Sequence, residues 1–299
     1  MRAYVVGNIA IDETIAVDEM PARGASILGR QQSRDLGGKG ANQAAVLSRT
    51  GLDTTLIAAV GDDFRADSIT RRVEREALDA RLLRIEGGAS DFSMVLVTPD
   101  GDNSIVTTTD SAQNLPLDAA LAIMSGAKAG DVLVLQGNLS DATTRSLLVE
   151  GKRLGTINAF NPSPVRPFFA AFWPLIDIAF LNEGEAELLT GRQGEEAMRT
   201  LVEAGVSTAV LTLGAEGALV VSGAETVKVP AKACPVVDTT GAGDTFMATA
   251  LASAALRGVT VDRLAVEHAA EAAALTVSRR GTFSAFPTRI ELTAILAQR

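Results

Sequence analysis

Cysteine and histidine are almost missing: Cys234 and His268 are the single examples of each in 299 residues. One cysteine excludes an internal disulfide and a cysteine-cluster metal site, and it suits a reducing cytoplasm. One histidine, in an alanine-rich stretch, gives neither a hydrolytic triad nor a zinc centre anything to be built from, so His268 is assigned no role. Positive charge is also short. Lys and Arg number 27 against 36 Asp and Glu, a net charge of −9, which argues against sequence-independent nucleic-acid binding and against docking on an anionic membrane. Long apolar runs are absent: the most apolar helical stretch, Phe246 to Leu256, falls far short of the roughly 20 residues of a membrane span. Gly7, Asn8 and Asp12 interrupt the first apolar run before a signal-peptide core could form. The expectation is a soluble cytoplasmic protein without low-complexity linkers or internal repeats.

What is present is 47% hydrophobic residues in an alternation of short apolar runs and helix-forming stretches, the pattern of one α/β domain spanning 1–299. Ala3 to Val6, Thr54 to Val60, Val132 to Leu135, Thr156 to Phe160, Ile176 to Leu181 and Thr208 to Leu213 read as buried parallel strands. Each ends in polar residues, so the strand ends collect ligand-binding groups on one edge. The first of these strands is expected to deliver Asp12. Two stretches break the alternation. Around 14–36, Pro21 and Gly24 separate short β-like pieces, Ser26 to Leu28 and Gln31 to Arg34. Around 91–110, two Thr/Val-rich runs flank Pro99-Asp100-Gly101-Asp102, a hairpin signal. Together they are expected to form a small β-lid.

The richest stretch is Val236 to Phe246, where an apolar strand end is expected to meet Asp238-Thr239-Thr240-Gly241-Ala242-Gly243-Asp244 and then a long Ala-rich helix. The first N–H groups of a helix lack intrahelical partners, and the helix dipole adds positive charge there. Gly241, Ala242 and Gly243 would therefore let a phosphoryl group come close. A carboxylate beside such a turn repels phosphate unless it has its own task, and the obvious one for Asp244 is to accept the proton of an attacking hydroxyl.

A second glycine-rich loop, Gly37-Gly38-Lys39-Gly40-Ala41-Asn42-Gln43-Ala44, also runs straight into a helix. It is not a Walker A loop, because Gly40 follows Lys39 where Ser or Thr is required, and neither loop carries the dinucleotide G-x-G-x-x-G pattern. Lys39 and Asn42 on a backbone that permits close approach suit a polyhydroxylated ligand.

These two loops, with Asn182-Glu183-Gly184-Glu185 and Thr212-Leu213-Gly214-Ala215-Glu216-Gly217, resemble the paired signatures of the ribokinase-like (phosphofructokinase B-type) carbohydrate kinases. The likeness covers nearly the whole chain, and the first loop is most similar to ribokinases. The resemblance implies a three-layer α/β/α core with a mainly parallel sheet and a β-lid that serves as a homodimer interface. It implies transfer of the γ-phosphate of ATP to a sugar hydroxymethyl group, with Asp244 as base and the Gly241, Ala242 and Gly243 amides as anion hole. It places Asp12, Gly38, Lys39, Asn42 and Asn138 at the sugar, and Asn182, Thr212, Gly214, Gly217 and Glu271 at the nucleotide. Glu185 falls near a hydrated Mg²⁺. Asp238, Thr240, Thr276, Arg279 and Gly281 fall at a monovalent-cation (K⁺) site.

Several positions depart from the ribokinase pattern. Ala10 stands where an Asn is usual and Asn138 where a sugar-binding Glu would align, so a sugar related to ribose is expected, with ribose not necessarily the best. Ala285 replaces a Ser of the cation site, and Glu271 replaces an Asn or His near the adenine. Two other readings are a nucleoside kinase of the same superfamily, which needs an aromatic or apolar shelf that 4% aromatic residues scarcely supply, and a non-catalytic sugar or nucleotide sensor, which the intact Asp244 and its glycines disfavour.

Overall fold

In a computed structural model, residues 1–99 and 103–298 are described; Asp100, Gly101 and Asp102 of the expected hairpin turn lie outside them. In chain order the first elements are β1 (Arg2–Val6), β2 (Ala10–Val17), β3 (Gly29–Gly37), α1 (Lys39–Arg49), β4 (Asp53–Val60), α2 (Phe64–Val73), β5 (Asp79–Arg84), β6 (Phe92–Val97), β7 (Asn103–Thr107), α3 (Asp110–Gln113) and α4 (Leu117–Met124). Then follow β8 (Val132–Gln136), α5 (Asp141–Leu154), β9 (Ile157–Asn161), a 3₁₀ segment (Pro167–Leu175), β10 (Ile178–Asn182), α6 (Glu183–Thr190), α7 (Gly194–Glu203), β11 (Thr208–Thr212), β12 (Ala218–Ser222), β13 (Glu225–Val229), α8 (Ala242–Arg257), α9 (Arg263–Val277) and α10 (Arg289–Leu296).

The apolar runs form one sheet, in the order β13-β12-β11-β10-β9-β8-β1-β4-β5. The strands run parallel except β12, which is antiparallel to both its neighbours. Both faces are covered, and the pleat decides which residue goes where. Ala3, Val5, Val132 and Val134 point to the layer holding α1, α8 and α9. Tyr4, Val6, Leu133 and Leu135 point to the opposite layer, with α5, α7 and the 3₁₀ segment. The three-layer core is thus the direct result of strands apolar on both faces. Strand order reverses between β1 and β8, and a crevice opens at such a switch point beyond the carboxyl ends of the strands.

The second sheet has the order β3-β2-β6-β7, and the parallel pairing of β2 with β6 joins the two irregular stretches, as expected. Its strands differ in detail from the sequence reading. Ser26 to Leu28 is not strand, and Leu28 is fully exposed, whereas β3 runs on to Gly37. Asp12 is not delivered by β1, which stops at Val6; it sits on β2, paired in register with Asp35 of β3.

The stretch before α8 also differs. Val236 and Val237 are exposed and belong to no strand. Pro230 and Pro235 cannot donate to a ladder, so the sheet edge closes at Val229. The chain then crosses the sheet end as an extended segment, held by Val237 and Asp238 N–H groups on the Val277 carbonyl. Among the described residues no helix is long and apolar enough to cross a membrane.

Candidate active site

Three loops meet at the crevice, and glycines permit it. A Cβ on Gly40 would lie 2.7 Å from the Asn8 carbonyl, and one on Gly37 would lie 2.0 Å from an Asp12 carboxylate oxygen. Without side chains here, the β3–α1 turn packs onto the β1–β2 turn, where Asn8 accepts from the Gly40 and Ala41 N–H groups. Gly38 makes the turn at φ 92°, a region L side chains avoid.

The close packing brings the first turn of α1 against the first turn of α8. Asp244 is 5% exposed. Its Oδ2 accepts from Asn42 Nδ2 at 2.8 Å and its Oδ1 from Gln43 Nε2 at 2.9 Å. Gly241, at φ 75°, caps α8, and the phenyl ring of Phe286 lies where its Cβ would be. Gly243 faces open space, so an anion can reach the amides of this turn beside a buried carboxylate.

Asp12 looks across from β2. Ser93 and Thr282 hydrogen-bond its carboxylate, yet burial, together with the charges of Asp35 and Asp244, pushes it up to about 6. A cleft of about 1110 Å³ separates the small sheet from the core, lined by Asp12, Thr14, Val95, Val237, Thr240 and Thr282 among others. Asn42 Oδ1, Gln136 Oε1 and Asn138 Oδ1 are buried acceptors with no partner among the described residues. Each costs about 1–3 kcal/mol unless a ligand supplies the donor.

The remaining residues singled out from the sequence lie along the carboxyl edge of the sheet or behind the turn. Lys39 is the first residue of α1 and half-buried. Asn182 and Glu185 form a reciprocal capping box on α6 at the end of β10. Thr212 ends β11, and Gly217 lets that loop press on the end of β13, its Cβ position lying 2.0 Å from the Val229 carbonyl. Gly214 opens the same loop at φ 55°. Glu271, on α9, accepts from Gln298 at 3.0 Å and faces Lys232.

Asp238 accepts from the Thr240 and Gly281 N–H groups at 2.9 and 3.1 Å, stapling the turn to the loop after α9. Thr276 is buried, with its hydroxyl on Thr245 and its carbonyl accepting from Arg279 N–H. The Arg279 guanidinium pairs with Glu291, which it holds down at about 2.

Sequence reading gave Gln43, Gln136, Ser93, Thr282 and Phe286 no role. Gln43 stood next to Asn42 in the signature; nothing local distinguished the others.

Residues 2–289 match the pfkB family carbohydrate kinase profile. The chain is similar to mouse ribokinase, 32% identical over 96% of this chain and 92% of the relative, and to deoxyribokinase of Salmonella typhimurium, 28% identical over 96% of each. Its fold is similar to that of Thermotoga maritima ribokinase, with a TM-score of 0.87, 26% identity and full coverage of both chains. Arabidopsis thaliana ribokinase, solved with ribose and ATP, gives a TM-score of 0.88 at 24% identity over 100% of this chain and 99% of that one. With a signature match over almost the whole length and an ordered carboxylate beside an open helix terminus, the chain belongs to the pfkB family of carbohydrate kinases, phosphotransferases that act on a sugar hydroxyl.

Proposed function

We propose that the chain transfers the γ-phosphoryl group of ATP to the hydroxymethyl group of a sugar related to ribose. The observation that carries this reading is the placement of Asp244: a buried carboxylate, held by two amide donors, directly beside the open amides at Gly243. The sugar hydroxyl gives its proton to Asp244 as its oxygen bonds to the γ-phosphorus; the bond from that phosphorus to the bridging oxygen breaks, and ADP leaves with the electron pair. A weak base suffices, because in a loose transition state the proton moves late. The amides of Gly241 and Gly243 face the charge on the transferring oxygens, while the Ala242 N–H donates to the Thr239 carbonyl in the structure and would have to leave it to join them.

Asp12 and Asn42 Oδ1 accept hydrogen bonds from sugar hydroxyls. Asn138 presents an unpartnered Oδ1 among the described residues and its amide can donate as well as accept, which suits a sugar hydroxyl, itself both donor and acceptor, at that point. Among the described residues no aromatic ring lines the cleft, whereas Val17, Val95, Val97 and Val237 give it apolar surface, so nucleosides belong in the acceptor panel beside sugars.

Asn182, Thr212, Gly214, Gly217 and Glu271 are the residues proposed for the nucleotide side. Mg²⁺ bound with phosphates needs one or two protein carboxylates. Glu185 fits, since the α6 cap uses one of its oxygens; when bound, the ion neutralises charge on the phosphates. For K⁺, Asp238 retains lone pairs beside Thr240, and the backbone carbonyls around Thr276, Arg279 and Gly281 are the other proposed ligands, but the Thr276 carbonyl already accepts from Arg279 N–H and Ala285 brings no hydroxyl. Mild activation is therefore expected. Equal turnover in K⁺ and in a bulky organic cation at matched ionic strength would remove the proposed site.

The acceptor role of Asp12 has a pH signature. Its carboxyl, raised to about 6, is protonated below that pH, which turns one of its acceptor oxygens into a donor and removes its charge. The kcat/KM for the sugar should fall about tenfold per pH unit below about 6, and Asp12→Asn should flatten that limb. A wild-type profile that is level from pH 7 to 5 would contradict the assignment.

A homodimer through the small sheet is proposed from its face opposite the cleft. Met94 and Val106 pair across β6 and β7 and are exposed there, as apolar side chains on an edge seldom stay. Light scattering at micromolar concentration should give twice the 31.0 kDa chain mass; a monomer mass would sink it. The activity itself is tested by ADP release over pentoses, hexoses, keto-sugars and nucleosides. A response to nucleosides alone would overturn the sugar reading.

A further inference from the structure

Gln43 lies between two groups that determine which way its amide faces. A carboxylate only accepts, so the amide of Gln43 must turn its Nε2 to Asp244, 2.9 Å away. Its Oε1 then faces backward and accepts from Gln136 Nε2 at 2.7 Å. Gln136 is thereby oriented in turn, its Oε1 resting against Gly7, where any Cβ would collide with it. The result is a directed chain, Gln136 to Gln43 to Asp244, running from the end of β8 through the first turn of α1 to the first turn of α8. Gln136 and Gln43 are almost completely buried, at 0% and 1% exposure.

Asn42 holds the other oxygen of Asp244 but keeps an Oδ1 without a partner among the described residues, an atom left for substrate. Gln43 differs: its amide nitrogen and its oxygen both bond within the protein, so it acts only through Asp244. A carboxylate gripped on both oxygens cannot turn about its terminal torsion, and the lone pairs that remain keep one direction. We infer that Gln43, backed by Gln136, is the positioning residue that aims the proton-accepting lone pair of Asp244 at the sugar hydroxyl. The inference rests on the reading of Asp244 as the base.

The test uses the full-length enzyme with ATP and the best sugar from the acceptor panel. Gln43→Leu keeps the volume and removes the donor; kcat should fall about 10- to 100-fold, the range for a misplaced reacting group, with KM for sugar and ATP within about threefold. Gln136→Leu should act in the same direction. Gln43→Leu with Gln136→Leu should cost no more than Gln43→Leu alone, since both sit in one chain.

Gln43→Glu supplies the readout that simple packing would not move. Ionised, the new side chain cannot donate to Asp244 and repels it; protonated, it can donate. Its kcat relative to wild type should therefore climb as pH falls from 8 to 5.5, as the new carboxyl gains the proton it donates to Asp244, while Asp12, common to both enzymes, divides out of the ratio. A flat ratio, a folded Gln43→Leu with kcat within threefold of wild type, or KM values that rise as much as kcat falls would each overturn the inference. If Asp244→Asn is inactive while Gln43→Leu is not, only the positioning role fails; if Asp244→Asn stays active, the reading beneath it fails.

Discussion

Asp244→Asn is expected to fold, to bind ATP, and to lose turnover by about 10²- to 10⁴-fold, the usual contribution of a general base. Folding should survive because the change is isosteric and the surroundings can adapt. The variant's amide offers one acceptor and one donor where the carboxylate offered two acceptors. Asn42 can turn over to meet the new donor without giving up another hydrogen bond among the described residues, where its Oδ1 has no partner. Gln43 then keeps its acceptor and the chain to Gln136 stays intact. Turnover should not survive, because an amide nitrogen cannot take the hydroxyl proton. Calorimetry with ATP and a coupled assay on the same preparation decide it. Tight ATP binding with near-normal kcat would show that the proton goes elsewhere.

Gly241→Ala is expected to lower kcat by about 10²- to 10³-fold, the cost of losing one aligned oxyanion donor, while sugar affinity changes little. At φ 75° a Cβ strains the backbone by about 1–2 kcal/mol, and here it would also lie 2.6 Å from Phe286 Cε1. The ring has little freedom to retreat. Arg49, paired with Glu76, reaches the carbonyls of Phe283, Phe286 and Pro287 and holds that loop to the end of α1. The turn must give instead, and its amides leave their aim. Gly243→Ala separates the two causes. Its Cβ meets nothing in the protein, so stability should hold or rise by about 0.5–1 kcal/mol, and only an anion seated on the turn would be obstructed. If Gly243→Ala is as active as wild type, the phosphoryl group does not rest there.

Local chemistry determined much of this protein. Apolar runs with residues for both faces require a buried parallel sheet, and the glycines at 37, 38, 40, 241 and 243 mark the turns that open α1 and α8; both were legible in the residues themselves. The two stretches that break the helical period announced a second sheet.

Elements whose signal is weak or opposed by tertiary context were not legible. The amphipathic edge strands β5 and β13 lack a continuous apolar run, and Val236-Val237 looks like strand although two prolines and the Val277 carbonyl hold it outside the sheet. The placement of Asp244 between Asn42 and Gln43, the ring of Phe286 against Gly241, and the raised Asp12 carboxyl were decided only by the fold. They join residues as distant in the chain as Asn42 and Asp244 or Asp12 and Thr282. A pattern of nearest neighbours can say where backbone turns and which face is apolar, but hydrogen-bond direction, burial and mutual charge depend on distances that exist only once the layers have packed.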